Sequence, residues 1–131
     1  MYRQICLMML IGSLSFAGCS KGQSTDTLIE DSHSPEVKDR LGAVRQLQSR
    51  KGDAAKVLPV LIESLQDKNV DVRISAAIGL GYFGAEAKSA LPDLEKAQSD
   101  KDARVRNAVR AAISRIGPED KHEDKDNASK S

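Results

Sequence analysis

Between Val70 and Phe83 almost every side chain is apolar or small. Val72, Ala76, Leu80 and Phe83 fall at helical spacing on one face, and Ile74, Ala77, Ile78 and Gly81 fill the rest. A helix that is apolar nearly all round is buried on two sides. On either side of it the pattern narrows to a stripe. Val37, Leu41, Val44 and Leu47 recur at spacings of three and four with Lys38, Arg45 and Gln46 turned away. Val105, Val109, Ala112, Ile113 and Ile116 do the same, with Arg104, Arg106, Arg110, Ser114 and Arg115 outward. Two more stripes lie between these helices: Val57, Leu58, Leu61, Ile62 and Leu65, and then Ala87, Ala90, Leu91, Leu94 and Ala97. The pattern predicts five helices and no strand. Punctuation agrees. Ser34-Pro35 opens the first helix, Gly52 and Asp53 separate the first two, and Gly117-Pro118 stops the last. Pro59 would cost about 3 kcal/mol inside a helix. Because Pro92 occupies the same place in the later stripe, both are read as a shared bend at the start of a second helix.

The stripes are copies. Asp67 to Gly84 meets Asp100 to Gly117 on a shift of 33 without a gap, with Asp67/Asp100, Lys68/Lys101, Val72/Val105, Arg73/Arg106 and Gly84/Gly117 unchanged. The same shift backwards lays Arg40 on Arg73, Ala43 on Ala76, Leu47 on Leu80 and Leu58-Pro59 on Leu91-Pro92. A period of this length marks supersecondary units that stack because none can bury its apolar face alone. The expected fold is all-α: a short right-handed α-solenoid of about two and a half helix pairs over residues 35–117, between disordered ends. The third unit has a first helix and no second, and its polar outer positions suit an end cap. Gly79, Gly81 and Gly84 would weaken the central helix, so close backbone approach is expected there. With so few units, marginal stability is expected.

Charge adds little pull in any direction. The chain has 20 basic and 19 acidic residues, with no Trp, two Tyr and two Phe, which leaves little material for base stacking. Nucleic-acid binding through Arg104, Arg106, Arg110 and Arg115 is disfavoured by that balance. His33 and His122 stand in opposite ends, so no histidine-containing base or metal cluster is expected in the folded part, and His122-Glu123-Asp124 reads as solvated charge. Gly79-x-Gly81-x-x-Gly84 has the spacing of a dinucleotide loop but ends a helix instead of joining strand to helix. Neither an enzyme nor a cofactor, metal or small-molecule substrate is expected.

The ends read differently. Arg3, an apolar run from Ile5 to Phe16 and Ala17-Gly18-Cys19 compose an export signal over residues 1–18, too short for a permanent span. Residues 19–34 are polar apart from Leu28 and Ile29, and predict a flexible tether; residues 118–131 predict a disordered charged tail.

Two resemblances emerge from these residues. Gly-Ala-Glu-Ala at 84–87, Ala-Leu-Pro-Asp-Leu at 90–94 and Asp-x₄-Val-Arg at 67–73 and 100–106 resemble bacterial HEAT repeats of the bilin-lyase-like type, over about residues 35–117. The first unit departs from that pattern, with Ser34 where Asp would stand and Asp39 where Val would. The resemblance implies a protein-interaction scaffold in which Asp67 and Asp100 bond turn N–H groups and Arg40, Arg73 and Arg106 form a ladder between units. The alternative use of those arginines is an anion-binding row. Second helices line the inner curve in such proteins, so Lys56, Val60, Glu63, Asp93 and Lys96 are the implied partner surface. An accessory or subunit of a bilin-lyase-type enzyme is the alternative function. Phe16-Ala17-Gly18-Cys19 resembles a lipoprotein lipobox, which implies a lipid on Cys19 and an envelope protein as partner. Ser20 favours the periplasmic face of the outer membrane over the inner membrane. Cleavage after Ala17, freeing a soluble secreted chain, is the competing outcome.

Overall fold

The computed structural model describes residues 22–117, so the expected export signal, Cys19 and the charged tail lie outside the described residues. Among the described residues six α-helices follow one another: α1 (Thr25–Asp31), α2 (Val37–Leu47), α3 (Ala54–Ser64), α4 (Val70–Phe83), α5 (Leu91–Ala97) and α6 (Ala103–Ile116). Two 3₁₀ segments, Lys51–Asp53 and Gly84–Ala90, lead into α3 and α5, and no strand occurs among the described residues. The helices stack as a short α-solenoid in which α4 packs against α2, α3 and α6.

The middle of this stack is where the sequence is most apolar. Val72, Ala76, Ala77, Leu80 and Phe83 are all buried in α4. Two of its glycines lie where neighbouring chain comes close. A Cβ on Gly81 would lie 3.2 Å from Ala112 Cα, and one on Gly79 would lie 2.8 Å from Gln48 Cγ. Gly84 ends the helix at φ +56, a conformation L side chains rarely adopt. On α6 the positions equivalent to buried Ala77 and Gly81 are Arg110 and Ser114, both exposed, so the final helix turns a polar face outward.

The tether expected over residues 19–34 is corrected by α1. Ser24 caps this helix, its hydroxyl accepting from Thr27 N at 3.2 Å, and Leu28 is fully buried. The segment is too polar to order itself, but it docks on α2 and α3, which supply the apolar surface it lacks. Thr25, Leu28 and Ser32, three and four residues apart, are its buried face. Thr25 Oγ1 donates to Asp53, and Lys56 Nζ lies 2.8 Å from Asp26 Oδ1, tying α1 to the start of α3. The repeat therefore reaches one half-unit further back. Leu28, Leu61 and Leu94 stand 33 residues apart and all are fully buried.

The two second helices are not alike. The stripe from Ala87 to Ala97 predicts one helix, yet Gly84–Ala90 is 3₁₀, with Ala87 at φ −90 and ψ 17, and α5 starts only at Leu91. Pro92 near the start of α5 has no N–H for the carbonyl four residues back, and its ring crowds that carbonyl. Pro59, by contrast, lies inside a continuous α3. The shared bend expected at the two prolines is therefore confined to the second unit.

Candidate functional site

Each of α2, α4 and α6 carries an arginine in its first turn that reaches back over the turn leading into it. Arg40 Nη1 donates to the carbonyls of Ser34 and Pro35 at 2.9 and 3.0 Å. Arg73 Nη1 donates to those of Asp67 and Lys68 at 2.8 and 3.4 Å. Arg106 Nη1 donates to those of Asp100 and Lys101 at 2.7 and 3.1 Å. The rest of the guanidinium reaches forward to the next turn. Arg40 Nε and Nη2 bind Asp67 Oδ2 and Oδ1 at 2.8 and 3.1 Å, and Arg73 Nε and Nη2 bind Asp100 Oδ2 and Oδ1 at 2.9 and 3.1 Å. Two parallel charge-assisted bonds fix orientation as well as distance. These side chains are 7–13% exposed, so solvent screens the pairs weakly.

The aspartates also hold their own turns. Asp67 Oδ1 accepts from Asn69 N at 2.8 Å and Asp100 Oδ1 from Asp102 N at 2.9 Å. Burial alone would push the Asp67 carboxyl up, but Arg40 and the Asn69 N–H together hold it below the usual carboxylate range. At Asp100 burial is likewise outweighed by the Asp102 N–H and Arg73. In the first unit Ser34 takes over the local part of this job, accepting from Glu36 N at 3.2 Å.

Beside each closed Arg–Asp pair runs an open groove on the turn edge of the stack, about 580 Å³ at Arg40–Asp67 and about 730 Å³ at Arg73–Asp100. The 33-residue shift relates them residue by residue. It carries residues 32–35 onto 65–68, Arg40 onto Arg73, Glu63 and Ser64 onto Lys96 and Ala97, and residues 66–68 onto 99–101, all of which line the second groove together with Asp93.

This geometry divides the surface expected from the sequence. Glu63 is exposed in the first groove, 3.8 Å from His33 Nδ1, and Asp93 and Lys96 border the second, 3.4 Å apart. Lys56 is exposed but committed to Asp26 of α1. Val60, expected outward, is corrected. It is 7% exposed, because α3 is flanked by α1, α2, α4 and the 3₁₀ segment before α5 and has less free surface than a two-sided helix. Sequence reasoning missed Lys68 and Lys101, which follow the ladder aspartates and line the grooves. Their recurrence at a spacing of 33 was a legible signal. Arg106 keeps its backward bonds, while its Nε and Nη2 meet no carboxylate among the described residues.

No group of three or more His, Cys, Asp or Glu side chains suited to a metal ion occurs among the described residues. No helix among them is long and apolar enough to cross a membrane. A family profile described as HEAT repeats matches residues 25–114, beginning at the first residue of α1. No curated protein matches the chain significantly.

Proposed function

Taking as premise that the chain belongs to the HEAT-repeat family, whose members are generally protein-interaction scaffolds, we propose that it is a protein-binding scaffold held at the bacterial cell envelope by a lipid on Cys19, with no catalysis of its own. The observation that carries the binding half is the pair of grooves related by one repeat. They present the same backbone-and-arginine framework twice, with Glu63 in one and Asp93 and Lys96 in the other as the variable side chains. Units cross-braced by Arg40–Asp67 and Arg73–Asp100 hold the two grooves at a fixed spacing, which lowers the ordering cost of binding a partner across both.

Support for the anchor half is the apolar run ending in Phe16-Ala17-Gly18-Cys19. Several acyl chains at about 0.8 kcal/mol per buried CH₂ hold a protein on a bilayer stably, where one is marginal. Ser20 after the cysteine favours the periplasmic face of the outer membrane over the inner membrane in this reading. Photo-crosslinking groups at Glu63 and Lys96, with Arg45 on the outer face of α2 as control, test the binding half in cells. Adducts with one envelope protein at the groove positions and none at the control are expected, and equal or absent labelling overturns it. The anchor half fails if Cys19→Ser leaves the protein as membrane-bound as before and mass spectrometry finds no lipid on the original.

A further inference from the structure

Among the described residues the ladder closes twice and its third arginine stays open. Arg106 Nη1 is held by the Asp100 and Lys101 carbonyls at 2.7 and 3.1 Å, the same backward contacts that set the guanidinium planes of Arg40 and Arg73. Those two arginines then bind a carboxylate through Nε and Nη2, and Arg106 offers the same two donors to no described residue. The fork is thus oriented before any ligand arrives, and less side-chain freedom remains to be lost than for an ordinary surface arginine.

Its surroundings favour an anion. Asp100 is taken by Arg73, and Asp102 by Arg104 at 3.1 Å, so both carboxylates of the turn that Arg106 reaches back over are already compensated. Lys101 and Arg110 are exposed on either side of Arg106, and neither has an ion-pair partner among the described residues. Lys101 also lines the second groove, and its carbonyl is one of the two that hold Arg106, so this residue links the groove to the open fork.

We propose that Arg106 is a carboxylate-binding site, and that its occupant is an acidic segment of a protein partner, one Asp or Glu seated bidentately in the fork and its neighbours facing Lys101 and Arg110. The proposal deepens the scaffold reading and rests on it. A single ion pair at a partly exposed site is weak, so binding depends on further contacts made with Lys101 and Arg110. Recognition is therefore of a run of acidic residues and depends on ionic strength.

The test uses the full chain labelled with ¹⁵N and a capped deca-glutamate peptide as the probe, followed at the arginine Nε–Hε resonances. The Arg106 resonance is expected to shift saturably while those of Arg40 and Arg73, already paired, stay in place and report that the fold is intact. Arg106→Lys keeps the charge and loses the fork, and is expected to weaken the probe at least threefold; Arg110→Gln weakens it less. A resonance that does not move, or an Arg106→Lys chain that binds the probe as well as the original, overturns the proposal. Two other occupants would also overturn it. An Arg106 resonance that moves with protein concentration alone identifies a second copy. One that moves when Glu119, Asp120, Glu123, Asp124 and Asp126 are neutralised identifies the chain's own acidic run. If crosslinks from Glu63 and Lys96 capture a protein while Arg106 is silent, the scaffold reading stands and this one falls. If probe binding at Arg106 is seen without crosslinks, the carboxylate site stands while the two grooves fall as the partner surface.

Discussion

Leu28→Ala probes whether α1 belongs to the cooperative fold, and the structure fixes how large its effect can be. Leu28 is fully buried, as is Leu80 in the middle of α4. A Leu→Ala change at a buried site costs about 2–5 kcal/mol through lost transfer energy and the cavity left behind. Leu80 has neighbours on both sides in α4's two packing directions and no escape, so about 3–4 kcal/mol is expected there. For roughly ninety ordered residues the unfolding entropy is near 0.2 kcal/mol/K, which places the accompanying fall in Tm at about 15–20 °C. At Leu28 the cost has a ceiling. Once it exceeds the free energy that docks α1, the seven-residue helix can detach and the remainder stays folded. The value of burying a leucine side chain, about 1.5–3 kcal/mol, sets that ceiling, and about 2 kcal/mol is expected. Urea unfolding with a constant m-value measures both losses. Amide exchange adds the location: in the Leu28→Ala chain residues 25–31 should exchange far faster than α4. A loss below about 0.5 kcal/mol, or fast exchange of residues 25–31 in the original chain, would refute the docking of α1 and restore the tether.

Other outcomes follow from the ladder and the glycines. Because Asp67 and Asp100 are held below their ordinary carboxylate range in the folded state, their pairs contribute stability at pH above about 4, and lose it as pH falls through the lowered folded values. Stability measured by urea midpoints should drop from about pH 5 downward, and Asp67→Asn with Asp100→Asn should flatten that drop; an equally steep drop in the double variant contradicts it. Arg73→Lys keeps the charge but loses the bidentate contact and should cost about 2 kcal/mol, whereas Arg106→Lys should cost under about 0.5 kcal/mol. Equal losses at the two sites in thermal melts would mean the Asp100 fork does not matter. Gly84→Ala, at φ +56, should cost about 1–3 kcal/mol. Gly42→Ala, in α2 with no atom within 4 Å of its Cβ position, should gain up to about 1 kcal/mol, both read as shifts in urea midpoint.

How far the sequence reached depends on what carried the signal. The helices with a dense apolar stripe, α4 and α6 above all, were legible because burial is written in their residue types. The translation by 33 located the Arg–Asp register before any distance was known. α1 was missed because Thr25 and Ser32 occupy the places that Leu58, Leu91 and Leu65 hold in later units, so composition hid a periodicity that the repeat, carried one step further back, reveals. The 3₁₀ run before α5 was missed for a different reason. Pro59 and Pro92 look equivalent in the sequence, and what separates them is the local backbone, continuous α-helix in one unit and 3₁₀ in the other. Val60 was placed on the partner surface, and its burial follows from the several elements that flank α3, the unforeseen α1 among them. The grooves needed coordinates, since they form between turns that are distant in the chain.

Arg40 and Arg73 each join carbonyls five and six residues behind them to a carboxylate 27 residues ahead, so the same two offsets recur in successive units. The stack is therefore modular in whole periods. Duplicating residues 67–99 in tandem would present Arg40, Arg73 and the copied arginine each with an aspartate at the right offset, and would add one more groove of the same framework. An insertion one residue shorter would break the register at the first junction, so the reach of this surface can be lengthened in steps of a full repeat and not by fractions of one.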